Sequence, residues 1–189
     1  LDAAAQLFAL RGFHGVTVDE IGAAVGLSGP ALYHHFESKE ALLSEMLVAG
    51  SEALLANGGK TEAMDAAESL RWLIEGQINF ALNQPELITV HHRDLVHAPD
   101  AVQHRVRRLQ AEYVEFWVSA LRELGVGDPR QARAAVHAVI GLINSTPFSM
   151  RLKRDEMFVL LRKMSLGAFD ALLVDPRASA SSTLGETGP

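Results

Sequence analysis

Thr17-Val18-Asp19-Glu20-Ile21-Gly22-Ala23-Ala24-Val25-Gly26-Leu27-Ser28-Gly29-Pro30-Ala31-Leu32-Tyr33-His34-His35-Phe36 reads as two short helices and the turn that joins them. Thr17 and Glu20 form a capping box: the threonine hydroxyl can accept from the Glu20 amide while the Glu20 side chain reaches back. Ile21, Ala24 and Val25 give this second helix of the chain its expected buried side, and Gly26 ends it. Leu27 and Ser28 make the turn. Pro30 sits where a helix start tolerates a missing N–H, so a third helix is expected from Gly29 to Phe36. Two helices joined by a glycine-containing turn are a helix-turn-helix pattern. The third is short enough to enter a DNA major groove, with its first turn turned toward base edges.

Upstream, Leu1 to Arg11 keeps helical spacing through Leu1, Ala4, Ala5 and Phe8 and is closed by Gly12. The chain opens inside that pattern without Met, so residues before Leu1 are expected to be missing. Downstream, Ser38 caps a fourth helix that carries Leu42, Leu43, Met46, Leu47 and Leu54, and Asn57-Gly58-Gly59 is expected to break it. Further helices are expected at Glu62–Asn83, Glu86–His97, from Asp100 to the Gly125/Gly127 stop, from Pro129 to Ser145, and at Asp155–Leu173. The chain is thus all-α, with about nine helices: a three-helix head over residues 1–47, a larger helical region over 48–174, and a Ser/Gly/Pro-rich tail expected to be mobile over 175–189. No strand and no fixed-period repeat is evident.

Composition narrows the function. The 189 residues are 48% apolar and 21% charged and contain no cysteine, which excludes disulfide scaffolds, thiol catalysis and cysteine–zinc sites. The longest uncharged run, Ala134–Met150, is 17 residues and carries His137, Asn144 and Pro147, so it reads as a buried helix rather than a membrane span. No signal-peptide pattern opens the chain, and a cytoplasmic protein is expected. The net charge of −6 gives no general attraction to nucleic acid. Residues 1–48 hold only Arg11 and Lys39 against six carboxylates. Specific contacts depend on local geometry instead.

Residues 1 to about 47 resemble the DNA-binding region of the TetR family of transcription regulators. The matching text is Ala4-Ala5-Gln6-Leu7-Phe8, Arg11-Gly12-Phe13, Thr17-Val18-Asp19-Glu20-Ile21, Val25-Gly26-Leu27-Ser28, and Leu32-Tyr33-His34-His35-Phe36-Glu37-Ser38-Lys39-Glu40-Ala41-Leu42-Leu43. The resemblance implies a homodimer that sets one third helix of each subunit into a major groove of double-stranded operator DNA, with an effector-binding domain behind it. It also implies that Tyr33, His35 and Lys39 face the phosphate backbone and that Ser28, Gly29, Pro30, Ala31 and His34 are placed to read bases. Thr17, at a helix start, is a further phosphate point. Gly29 and Ala31 lack side-chain donors, which shifts readout toward thymine methyls, backbone groups or DNA shape. Relatives often carry basic residues just before the point where this text begins, and such an arm is expected to be missing here.

The remainder is less specific. Trp72 and Phe80 on the fifth helix and Tyr113, Phe116 and Trp117 on the seventh are candidates to line an effector cavity, although such a stripe is as readily plain core. His92 or His97 could offer a hydrogen bond to the effector. Arg105, Arg107 and Arg108 could meet an anionic group such as a coenzyme A phosphate, or form a solvated face. The expected effector is a small lipophilic acyl or aromatic compound, a coenzyme A thioester among the candidates, which releases a repressor from DNA. A metal-responsive alternative uses His91, His92, Asp94, His97 and His104, but successive histidines are spaced by one, five and seven, whereas helix-borne ligands favour three or four. Apolar surplus on the last two long helices (Val136, Val139, Ile140, Ile143, Phe158, Leu161, Ala168, Leu172) fits an intersubunit four-helix bundle. No nucleophile elbow, phosphate loop or metal-hydrolase pair suggests an enzyme, no cofactor is expected, and a helical interaction module is a third reading.

Overall fold

The computed structural model describes residues 1–173, in which every regular element is a helix. Ten α-helices follow in order: α1 Asp2–Arg11, α2 Val18–Ala24, α3 Gly29–Tyr33, α4 Lys39–Gly59, α5 Ala66–Asn83, α6 Pro85–Asp94, α7 Asp100–Glu123, α8 Pro129–Asn144, α9 Thr146–Ser149 and α10 Arg154–Leu173. Tight 3-10 turns at Lys60–Ala63 and Leu95–His97 follow α4 and α6. The expected tail lies outside the described residues.

The local signals act as the sequence predicts at most helix starts. Thr17, Ser28, Ser38, Asp65 and Asp128 each accept a backbone N–H at the start of α2, α3, α4, α5 and α8. Gly12 and Gly26 take positive φ (79° and 72°), a conformation that costs glycine nothing.

Two hydrophobic cores result. Ala4, Ala5, Phe8, Phe13, Val16, Ile21, Leu32, Leu42, Leu43, Met46 and Leu47 pack the head, and Val90 of α6 and Val106 of α7 join that cluster, fastening head to body. The second core runs through α5, α7, α8 and α10, with Ile74, Ile78, Trp117, Leu121, Val136, Ile143 and Phe169 at its centre.

Several expectations are corrected. Helix α3 spans five residues rather than eight, because the chain turns at His34–His35 and returns Phe36 to the head core. Ala24 and Val25 are exposed, and the buried side of α2 is Ile21 and Gly22. Helix α4 continues through Asn57-Gly58-Gly59 instead of breaking. The reason is packing: a Cβ on Gly58 would lie 2.6 Å from Phe116 Cδ2, so the missing side chain is the notch through which α4 approaches α7. The helix expected from Glu62 therefore starts later, at Ala66, capped by Asp65. Thr146-Pro147 opens a separate turn, α9, before the last long helix, which raises the helix total from about nine to ten among the described residues.

Candidate nucleic-acid interface and effector cavity

The head presents α3 at its surface. Ser28, Pro30, Tyr33, His34 and His35 are exposed and Ala31 is half-exposed, whereas Leu32 is buried beneath them. Tyr33 is 52% exposed, so it is no part of the core. The Ser28 hydroxyl accepts from the Ala31 N–H, which fixes the first turn that would meet base edges. Gly29 differs from its neighbours. It is buried, and a Cβ there would fall 1.7 Å from Asp19 Oδ1, so it serves the close approach of α2 and α3 and is not displayed.

Charge on this surface is largely committed. The Lys39 ammonium donates to the Phe13 and Val16 carbonyls at 2.9 and 2.8 Å and stands 4.4 Å over the Phe13 ring. It braces the α1–α2 loop against the start of α4, and one of its three protons is left for an outside acceptor. Arg11 pairs with Glu20 at 2.7 Å. The Thr17 backbone N–H, the Arg11 guanidinium and the Thr17 hydroxyl all donate to the Glu20 carboxylate and hold its pKa down at about 2. Thr17 is exposed at the start of α2, with its hydroxyl engaged in this box.

Behind the head, a cavity of about 490 Å³ opens between α4, α5, α6, α7 and α8. Among the expected effector residues, Phe80, His92 and Tyr113 line it. The other three do not. Trp72 is 37% exposed and donates its indole N–H to the Asn57 carbonyl at 3.1 Å. Phe116 packs on Gly58 beside a separate surface hollow. Trp117 is wholly buried core, held edge-on by Tyr113 and beside Phe169. Arg105, Arg107 and Arg108 are also absent from the lining: all three are exposed, and Arg105 pairs with Glu52 at 2.6 Å.

Sequence reasoning missed the polar part of the lining: Ser51, Gln77, His91, Gln110, His137 and Asn144. The available signal was a polar residue inside an apolar run, as with Gln77 beside Ile78, or His137 and Asn144 within the long uncharged stretch. Burial, reinforced by the charge that His92 would carry, pushes the His91 imidazole below its ordinary pKa. Its ring nitrogen is hydrogen-bonded to the Gln110 side-chain amide. Among the described residues no three His, Asp or Glu side chains converge to hold a metal ion. Asp94 is buried and takes two bonds from Arg93, and His97 stacks on Phe13. The histidine cluster that suggested a metal is thus dispersed, and His97 belongs to the head contact rather than the cavity.

Two helices connect cavity and head. Met46 and Leu47 of α4 belong to the head core and also line the cavity. On α6, Leu87, Ile88, His91 and His92 line the cavity, and the next residue, Arg93, reaches the other way to the Phe8 and Ala9 carbonyls at the end of α1. The guanidinium there caps the Ala9 carbonyl, which the helix end leaves free, and shares the Phe8 carbonyl with the Gly12 N–H. His97 and His14 meet edge-on at 4.4 Å beside it, adding a second head–body contact.

Residues 1–46 match the profile described as "Bacterial regulatory proteins, tetR family". The chain belongs to the TetR family. Over 136 residues it is 33% identical to the HTH-type transcriptional repressor KstR2 of Rhodococcus jostii, covering 68% of this chain and 64% of that one. The chain thus spans just under two thirds of that relative's length. Among solved structures, the TetR family transcriptional regulator PfmR from Thermus thermophilus superposes with a TM-score of 0.74 at 25% identity, over 88% of this chain and 96% of that one. AibR, solved with isovaleryl coenzyme A and operator DNA, shares the fold with a TM-score of 0.70 at 20% identity, over 86% of this chain and 94% of that one.

Proposed function

We propose that this TetR-family chain is a ligand-responsive repressor of transcription that acts as a homodimer on a palindromic operator. The observation that carries the reading is the pairing of an exposed α3 and the turn that follows it (Pro30, Tyr33, then His34 and His35) with a cavity whose walls, α4 and α6, both continue into the head. Residues 1–47 bind DNA, with Ser28, Pro30, Ala31 and His34 toward the bases and Tyr33, His35, Thr17 and the free Lys39 proton toward phosphates. Gly29 acts through its backbone and its packing on Asp19.

A second copy docks on the outer faces of α8 and α10. Ala134, Ala138 and Gly141 of α8 and Leu160, Met164 and Gly167 of α10 are exposed there. Such a face suits a four-helix bundle between subunits. The dimer holds two heads about 34 Å apart, at successive major grooves.

The effector is a small lipophilic molecule in the cavity, whose size is in the usual range for such sites. An acyl coenzyme A, as in AibR, fits with its acyl part enclosed and its phosphates outside, since no Lys or Arg lines the cavity among the described residues. Occupancy displaces α4 and α6 and so misaligns the heads. A coupling of about 1–3 kcal/mol suffices to change DNA affinity by about 5- to 150-fold. The cavity is a sensor and not a catalytic centre. Among the described residues no helix is long and apolar enough to cross a membrane, which fits work in the cytoplasm. Selection from random-sequence duplexes tests the reading: enrichment of an inverted repeat with half-sites about 10 bp apart is expected, and a pool that stays random overturns it.

A further inference from the structure

The cavity lining carries information about the ligand that its size alone does not. Among the described residues no Asp, Glu, Lys or Arg lines it. Its polar groups are amides, hydroxyls and imidazoles, and burial shifts His91 toward its neutral form. An enclosed ammonium would find no Asp or Glu and an enclosed carboxylate no Lys or Arg in the lining, so either would lose its hydration without a fixed opposite charge to meet.

Two buried polar atoms of lining residues have no partner within the protein: Tyr113 Oη and Gln77 Oε1. The residues are 4% and 2% exposed. Burial pushes the Tyr113 hydroxyl well above its ordinary pKa, only partly offset by the nearby Trp117 indole N–H, so the phenol keeps its proton and has it to give. Gln77 spends its amide N–H on Asn144 Oδ1 at 2.8 Å, which leaves its carbonyl oxygen as a pure acceptor. Groups of this kind are rarely left unsatisfied inside proteins. One asks for an acceptor and the other for a donor. A hydroxyl supplies both, a ketone or ester carbonyl supplies only the first, and a carboxylate supplies the first at the cost of burying its charge.

We infer that the enclosed part of the effector is an uncharged apolar skeleton bearing a hydroxyl, anchored by Tyr113 and Gln77 at the wall formed by α5, α7 and α8. This rests on the effector-cavity reading above and sharpens it. Tyr113 and Gln77 are the residues that set specificity, and the apolar remainder (Leu54, Phe80, Leu87, Ile140) supplies non-directional affinity.

Calorimetric titration at pH 7.5 with 1-octanol, 2-octanone, octanoate and naphthalene tests it. The wild type is expected to bind 1-octanol tighter than 2-octanone, and about tenfold or more tighter than octanoate. Tyr113→Phe and Gln77→Met are each expected to weaken 1-octanol about 5- to 10-fold while leaving naphthalene, which makes no such bonds, unchanged. Retained naphthalene binding also reports that a variant is folded; if one variant loses it, the other decides. Octanoate binding as tightly as 1-octanol, undiminished 1-octanol binding in the folded variants, or no binding of any of the three alkyl probes overturns the inference. Duplex binding by the same wild-type protein without probe is measured separately. Its absence would remove the regulator reading and leave the ligand result standing.

Discussion

The head and the body of this chain are built on opposite principles. The head fills its core: Phe8, Leu43 and Met46 are at most 2% exposed, the helix starts are capped, and Lys39 and Arg11 are tied to neighbours. The body leaves a void of about 490 Å³ beside a comparably apolar core and tolerates buried polar atoms without partners at its wall. A surface that must present the same shape to every operator gains from rigidity. A sensor must keep space and unsatisfied bonding capacity that something else can fill. The contrast assigns stability to the head core and adaptability to the cavity wall.

The largest test of that contrast is a pair of aromatic truncations. Phe8→Ala should cost about 3–5 kcal/mol, because it opens a hole in a filled core. Phe80→Ala only enlarges an existing void and should cost about 1 kcal/mol. Urea unfolding midpoints compare them, and equal losses would erase the distinction. Next comes the joint between the two regions. Arg93→Ala removes the cap on α1 and leaves the buried Asp94 carboxylate unpaired, so a loss of about 2 kcal/mol is expected, below the range for fully buried pairs because Arg93 itself is 43% exposed. Hydrogen exchange should locate the loosening in α1; protection unchanged there would mean that α6 does not hold the head.

Adjacent glycines give a finer probe. Gly58→Ala should destabilise by about 1–2 kcal/mol by pushing on Phe116. Gly59→Ala, with nothing within 4 Å, should stabilise by about 0.5–1 kcal/mol. Thermal melts of the two variants should move in opposite directions. The smallest effect concerns protons. His91 has a lowered folded pKa, so the native state binds fewer protons than the unfolded one around the ordinary histidine value of 6.5. Its contribution is present above that value and lost as pH falls below it. Stability measured at pH 7.5 and 5.5 should drop more in the wild type than in His91→Gln. A steeper drop in the variant would contradict the assignment.

How far the sequence could be read divides along the same boundary. Caps at Thr17, Ser28 and Ser38 and the stop at Gly12 are local interactions within a few residues, so the head was legible in one dimension. Gly58 was not, because a glycine that breaks a helix and one that lets two helices touch look alike until Phe116 is placed opposite it. Val25 fits the helical spacing yet faces solvent, since burial depends on what packs against α2. The aromatic stripe on α7 failed for a related reason: Tyr113 and Trp117 share one face, but the cavity reaches only the first of them. Gln77, His137 and Asn144 carried the better signal, being polar groups at positions where an apolar residue would be expected.

The central claim, that the exposed surface of α3 and the turn after it holds DNA, is tested most directly by titrating the selected duplex with the wild type and with the double variant Tyr33→Ala/His34→Ala. Both side chains are exposed, so the fold should be unaffected to within about 0.5 kcal/mol. The account predicts a loss of about 100-fold in duplex affinity, as expected when two direct contacts worth 1–3 kcal/mol each are removed. Wild-type affinity in the folded double variant would contradict it.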